Sequence, residues 1–289
     1  MDERQLGDYL AVIGAVGGGG QAELRRGQFH DVVLAGDVAY RFPRDEESRR
    51  ALAGRTALLR VLQGSRLPVA TPVPLTAAEP GQDEPLGRCH VALSRLPGQP
   101  LPREQATSPR SEPIVIGDLA RLLDALAELG ADPAVRKAAP GPDPDHWARF
   151  AAEVTRVLFP LMTPPGRRRA GAELARVMGV DPGGTALVHG DLGGSNLLWQ
   201  VTEAGPRLTG VLDWDEAQIG NQAGDLASLA ATFGWELAGR LDARRHAGRR
   251  PAIADARAIA ATFALQQALP AALSGDQAML DDGLAGYAG

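Results

Sequence analysis

The chain predicts an α+β architecture in two lobes: a small antiparallel sheet with one helix, then a mainly helical part. Three observations carry that expectation. Residues 22–42 alternate short β-rich runs with glycine-containing turns. A loop-rich break, "LPGQPLPREQATSPRSEP", follows at Leu96. Beyond it, apolar residues recur at helical spacing on both sides of one polar stretch, "LVHGDLGGSNLLW" at 187–199. The expected division is residues 1–96 for the first lobe and 97–289 for the second. With 289 residues and 44% hydrophobic content, the chain can bury one large core or two small ones.

The elements follow in order. "VVLA" and "VAYRF" flank the pair Gly36-Asp37 and form a hairpin, with "AELRR" as a further strand before the turn "GQFHD". "EESRRALAGRTALLRVLQG" places Leu52, Leu58, Leu59 and Leu62 on or near one helical face, and Gly64 is its stop. Proline-rich "LPVATPVPL" is extended, and "GRCHVALSRL" is another strand. In the second lobe Ile116, Leu119, Leu122, Leu123, Leu126 and Leu129 form the apolar stripe of a long helix. After the breaker "AAPGPDPDH", helices are expected around "WARFAAEVTRVLF" and "GAELARVMG". A return strand, "LTGVLDW", comes after the polar stretch, and helices then run to the C-terminus.

Composition excludes several classes. A net charge of -5 lacks the basic surplus of a nucleic-acid binder, and it suits cationic partners. Cys89 is the one cysteine, so no intrachain disulfide or cysteine-rich metal site forms, and it is expected as a small buried hydrophobe. "MDERQLGDYL" lacks the order of a signal peptide, and no apolar run approaches the roughly 18 residues of a membrane span. The expectation is a soluble, cytoplasmic protein without membrane or nucleic-acid partners. "GGGG" at 17–20 is followed by no GK[ST], and Lys137 is the sole lysine, so these glycines are a connector rather than a phosphate loop.

The chemistry lies between 187 and 225. Asp191 and Asn196 stand in D-x-x-x-x-N spacing, and Asp213 follows on a predicted strand end. Phosphoryl transfer needs these parts: one carboxylate to orient a hydroxyl and take its proton, and an amide oxygen plus a second carboxylate for Mg2+. Magnesium is hard and prefers oxygen ligands. Gly193 and Gly194 are expected to turn the backbone between base and ligand, and the apolar runs "ALV" and "LLW" to clamp the loop into the core.

"HGDLGGSN" and "LDWDEAQIGNQAGDLA" resemble the catalytic and metal-binding motifs of aminoglycoside-phosphotransferase-like kinases. That family has a two-lobed protein-kinase-like fold. The resemblance implies that Asp191 is the catalytic base and that Asn196 and Asp213 are magnesium ligands. His189 would be structural, and Asp225 a buried carboxylate bracing the loop. Within the family, "GQFHDVVL", "GRTALLRVL", "LSRLPGQPL" and "TFALQQAL" are similar to the tuberactinomycin phosphotransferases, which act on viomycin and capreomycin. Those matches run from about residue 27 to the C-terminal helices.

Two departures from the kinase pattern stand out. Arg41 occupies the position where the third strand usually offers a lysine to the nucleotide phosphates. The following helix has no acidic residue from Ser48 to Gly64, and Arg55 stands where its glutamate is expected. A partner for Arg41 would then come from Glu46 or Glu47, or be absent. By resemblance, Gly27, Gln28 and Phe29 form the flap over the phosphates, and Ser94, Arg95 and Leu96 the hinge beside the purine. Carboxylates near the loop would receive a cationic acceptor, Asp215 first and Glu216 next, with Gln266 and Gln267 adding hydrogen bonds and Asp143 and Asp145 a rim.

The implied activity moves the γ-phosphoryl of ATP or GTP to a hydroxyl of a cationic cyclic-peptide antibiotic. The same chemistry on an aminoglycoside, a macrolide or a small metabolite alcohol is the alternative. A catalytically inactive nucleotide-binding regulator is a second.

Overall fold

Residues 3–14, 22–27, 30–75, 86–245 and 252–288 are described by a computed structural model of the chain. Helix α1 (Glu3–Val12) precedes strands β1 (Glu23–Arg26), β2 (His30–Ala35) and β3 (Val38–Pro43). The hairpin expected at Gly36-Asp37 forms, with Ala35 opposite Val38. Helix α2 (Glu46–Gln63) and strand β4 (Val91–Ser94) complete an antiparallel sheet of order β1-β2-β3-β4. Asp45 caps α2 by accepting the Ser48 N–H at 2.7 Å, and Gly64 ends the helix. Leu52, Leu58, Leu59 and Leu62 are buried, as their spacing requires. Helix α1 is strapped to this lobe by Tyr9, whose ring stacks on Phe42 at 4.1 Å and whose hydroxyl donates to Asp31 Oδ2 at 2.9 Å.

The rest of the chain is mainly helical. It runs through α3 (Arg103–Ala106), α4 (Glu112–Leu129), α5 (Pro133–Ala138), α6 (His146–Val157) and α7 (Pro164–Val177). Four short strands follow: β5 (Ala186–Val188), β6 (Leu197–Thr202), β7 (Gly205–Val211) and β8 (Gln218–Gly220). Helices α8 (Ala223–Phe233), α9 (Trp235–Arg245), α10 (Ile253–Ala260), α11 (Phe263–Ser274) and α12 (Gln277–Leu284) close the chain. β6 pairs with β7 and β5 with β8, all antiparallel.

Helix α4 is the axle of the second lobe. Val115, Leu119, Leu122, Leu123 and Leu126 are fully buried, and each buried leucine contributes about 1.5–3 kcal/mol of transfer free energy. One apolar core runs from Leu52, Cys89 and Leu93 through α4 to Leu197, Trp199 and Leu229, so Cys89 packs as the expected small hydrophobe. A second core joins α6, α7, α11 and α12, where the Tyr287 hydroxyl donates to Glu173 Oε2 at 2.6 Å.

The two parts are also stitched by backbone. Ala70, from the proline-rich stretch, donates to Thr209 O at 2.9 Å and accepts from Val211 N at 3.0 Å. Gln99 exchanges N–H···O bonds with Trp199 at 3.0 and 2.8 Å. The Ala70 bonds hold β7 to the first lobe, while the Gln99 pair, just past the lobe boundary, lays the connection along β6. Among the described residues, no helix is long and apolar enough to cross a membrane.

Candidate active site

The polar stretch is clamped as its apolar flanks suggest. β5 ends at Val188 and β6 begins at Leu197, and Leu187, Val188, Leu197 and Leu198 are buried. Between them the loop is held from below. Asp225, fully buried on α8, accepts the His189 N–H at 3.0 Å and the Gly190 N–H at 2.9 Å. The His189 ring lies edge-on to Trp214 at 4.8 Å. Its Nε2 faces Leu212 O at 2.8 Å and its Nδ1 faces the Asp191 N–H at 3.3 Å. A carbonyl only accepts and an amide only donates, so the ring is the neutral Nε2–H tautomer. The imidazole thus joins Leu212 to Asp191 and has no nitrogen left for a proton transfer.

The glycines share the work differently from the sequence expectation. Gly193 is extended, and Gly194 opens a single 3₁₀ turn through Asn196. Gly190 is the residue in the left-handed region, at φ 87°, and a Cβ there would stand 2.5 Å from Glu216 O. Gly194 is needed for close approach, since a Cβ would lie 2.5 Å from Thr232 Cγ2.

Asp191, Asn196 and Asp213 are brought to one place. Asn196 Nδ2 donates to Asp191 Oδ2 and to Asp191 O, both at 2.9 Å. Both partners are acceptors, which assigns the amide orientation and leaves Asn196 Oδ1 as the atom available to a cation. Leu212 N donates to Asn196 O at 2.8 Å, tying the next residue, Asp213, to the same loop. Asp213 is a non-glycine residue at φ 55°, a conformation that Asp tolerates and that recurs at functional sites. The donor set suits magnesium: one amide oxygen and one half-exposed carboxylate, with further oxygens to come from phosphate and water. Among the described residues, no group of three His, Cys, Asp or Glu could hold a metal alone.

Asp215 overturns one expectation. It is not an open carboxylate for the acceptor: its side chain is 6% exposed and already surrounded by donors. Arg41 Nη1 donates to Oδ1 at 3.0 Å, and Arg41 Nη2 to Oδ2 at 2.6 Å. Arg55 Nη1 reaches Oδ2 at 3.4 Å, and His30 Nδ1 stands 3.2 Å from the same oxygen. The two hydrogens of Arg41 Nη2 are spent on Asp215 and on Asp213 Oδ1, the latter at 3.2 Å, so His30 Nδ1 donates to Asp215. His30 Nε2 is then buried without a partner. Burial alone would raise the Asp215 carboxyl, but the His30 hydrogen bond and the Arg41 charge outweigh it and hold the group well below the usual carboxylate range.

Arg41 is therefore paired, and not with Glu46 or Glu47. Glu46 bonds Arg49 one turn along α2, and the partner of Arg41 comes from the other lobe. Burial works against the Arg41 charge, yet Asp215 and Asp213 keep it more firmly protonated than usual. His30 is a site residue that sequence reasoning missed. The sequence reads as a turn at "GQFHD", whereas His30 opens β2 with its ring inside.

The remaining candidates divide. Gly27 is close-packed against His30, donating to its carbonyl at 2.8 Å, while Gln28 and Phe29 lie outside the described residues, as does the 17–20 glycine run. The Ser94 and Arg95 N–H groups are committed to Val73 O and Asp37 O, each at 2.8 Å. Among the described residues, the Leu96 N–H, next along the chain, has no protein acceptor.

Beside the loop opens a recess of about 180 Å³, with Gly190 and Glu216 in its wall. Asp143, Trp147, Asp181, Phe263 and Gln266 also line it. Burial lifts the Glu216 carboxyl above its ordinary value; Arg55 opposes this, and the charges of Asp215, Asp213 and Asp191 add to it. Gln267 does not reach the recess. It faces α12, donating to Asp282 Oδ2 at 2.7 Å, because neighbours on a helix point about 100° apart. Asp145 precedes α6 outside the lining, and Asp143 is engaged by Arg149. Asp181 and Trp147 carried no motif, and only folding brings them to this wall.

Residues 21–270 match the phosphotransferase enzyme family. The chain belongs to that family. This phosphotransferase is 43% identical over 269 residues to viomycin phosphotransferase of Streptomyces vinaceus, covering 93% of each chain. Among solved structures, the GDP complex of aminoglycoside 2'-phosphotransferase-IIIa superposes on the phosphotransferase with a TM-score of 0.80 at 19% identity, over 99% of this chain and 97% of that one. Macrolide 2'-phosphotransferase type I does so at 0.73 and 24% identity, over 100% and 97%. The α+β, two-lobed kinase fold is thereby established, and with it an enzyme of the phosphotransferase class.

Proposed function

We propose that this phosphotransferase moves the γ-phosphoryl of ATP or GTP to a hydroxyl of a viomycin-type cyclic peptide antibiotic, conferring resistance. The observation that carries the substrate is the 43% identity to viomycin phosphotransferase across 93% of both chains. The recess supports it with two carboxylates, Asp181 and Glu216, and two aromatic rings, Trp147 and Phe263, a lining suited to a cationic arm. Its volume takes one arm of such a peptide, not the whole ring.

In this reading Asp191 orients the acceptor hydroxyl and receives its proton late, since the transition state is loose and asks little base strength. Asn196 fixes the carboxylate by holding Oδ2, which leaves Asp191 Oδ1 for the hydroxyl. Asn196 Oδ1 and Asp213 would hold Mg2+, which supplies charge neutralisation to the phosphates when bound. Arg41 and the Leu96 N–H would meet the phosphates and the purine. The product carries roughly -1.5 to -2 units of added charge, which opposes binding of a cationic drug to an anionic target.

The test is mass spectrometry of viomycin and capreomycin after incubation with protein, magnesium and each nucleotide, beside aminoglycoside and macrolide controls. Gain of one phosphate on the peptides, lost on Asp191→Ala, is the expected result. Phosphate on the controls alone overturns the substrate. Transfer unchanged in Asp191→Ala overturns the mechanism.

A further inference from the structure

Asp215 lies two residues past Asp213 in the second lobe, yet every side chain that holds it comes from the first. Arg41 on β3 grips it with two parallel bonds of 3.0 and 2.6 Å. Arg55 on α2 approaches at 3.4 Å and His30 on β2 at 3.2 Å. Three of these donors converge on Oδ2 and one meets Oδ1. Two guanidiniums thus converge on one carboxylate. The cluster adjoins Asp213, since Arg41 Nη2 also touches Asp213 Oδ1 at 3.2 Å. Helix α2 offers no carboxylate from Ser48 to Gly64, so no group on that stretch can orient Arg41.

We propose that Asp215 is a positioning residue for phosphoryl transfer, holding Arg41 and Arg55 as a paired clamp for the donor's phosphates and supplying from the second lobe the counter-charge that α2 lacks. The inference rests on the nucleotide-donor reading above. Its physical content is geometric. A guanidinium held by both nitrogens has one plane and one direction, whereas an unpaired one is a mobile charge. Orientation of the clamp and apposition of the lobes become one event, because the carboxylate and its donors sit on opposite sides. An enzyme with both partners in one lobe lacks that coupling.

Removing the Asp215 charge while keeping its shape separates binding from catalysis. The two guanidiniums, with only the single Asp213 contact left to Arg41, still attract a polyanion, but they no longer present fixed donors to the reacting phosphate. In full-length protein, Asp215→Asn should lower kcat by about 30-fold, while the Kd for ADP or GDP, whichever wild type binds, stays within about threefold or tightens. Arg41→Ala should weaken that nucleotide by about tenfold, and Arg55→Ala, which leaves the Arg41–Asp215 pair intact, by about threefold. The double variant Asp215→Asn/Arg55→Glu, which moves the carboxylate onto α2, should recover about tenfold of the lost kcat. A merely structural Asp215 would lower the melting temperature without that opposite movement or that recovery.

Turnover of Asp215→Asn within about threefold of wild type overturns the inference, as does nucleotide binding weakened as much as in Arg41→Ala. If Asp215→Asn does not fold, Arg55→Ala decides alone, and unchanged nucleotide binding there is fatal to the clamp. Wild-type protein that binds no nucleotide overturns the donor reading and this inference together.

Discussion

The carboxylate of Asp225 holds the backbone N–H of His189 at 3.0 Å while its other oxygen holds the next N–H along, so one fully buried side chain sets the height of the loop at 189–196. Taking it away leaves two buried donors unpaired. Asp225→Ala should cost about 3 kcal/mol, because hydrogen bonds to a charged acceptor contribute about 1.5–3 kcal/mol each and part of the loss is recovered by water. Urea denaturation of the two proteins checks this, and a difference under about 0.5 kcal/mol would contradict the brace.

Gly194 and Thr232 make a prediction with its own rescue. A methyl at Gly194 would meet Thr232 Cγ2 at 2.5 Å, while Thr232 Oγ1 accepts the Gly194 N–H at 2.9 Å. Gly194→Ala should destabilise by about 1–3 kcal/mol. Thr232→Ser deletes Cγ2 and keeps the oxygen, so the double variant should regain most of the loss. A thermodynamic cycle over the four proteins reads the coupling, and strict additivity would show that the clash is relieved elsewhere.

Asp45 predicts a pH dependence. Its bond from the Ser48 N–H holds the carboxyl below the ordinary aspartate value of 3.8. The folded state therefore binds fewer protons than the unfolded one between the two values. The cap's contribution is present in full above 3.8 and is lost as pH falls through the folded value. Asp45→Ala should cost about 1 kcal/mol at neutral pH, and the gap should narrow in acid. Paired unfolding curves near pH 7 and pH 3 measure it, and a gap that widens in acid refutes the sign.

Gln266 and Gln267 should part company in kinetics. Gln266 lines the recess, whereas Gln267 is spent on Asp282 of α12. Gln266→Ala should raise the acceptor KM by about threefold or more with kcat little changed, and Gln267→Ala should leave KM alone while costing about 0.5–1.5 kcal/mol of stability. Steady-state rates with viomycin decide this, and equal KM values for the two variants would deny the recess its role.

The hairpin at Gly36-Asp37, helix α2 with its Gly64 stop, the α4 stripe and the clamped loop at 187–199 were all legible without coordinates. Each is written in local chemistry: turn residues, caps and apolar periodicity act over a few positions. The spacing of Asp191 and Asn196 is local in the same sense, since one 3₁₀ turn brings the amide onto the carboxylate.

The order of elements, the two-lobed class and the kinase-type loop thus follow from local residue patterns. Tertiary structure decided who pairs with whom. Arg41 and Asp215 are 174 residues apart, and nothing near either one marks the other as its partner. Only the pairing of Ala70 with β7 and the common core around α4 bring them within reach. The same holds for Asp181, Trp147 and Gln266, which come from separate segments and meet at one wall. Periodicity fixes which face of an element is apolar, but a polar contact between distant segments depends on how those faces dock.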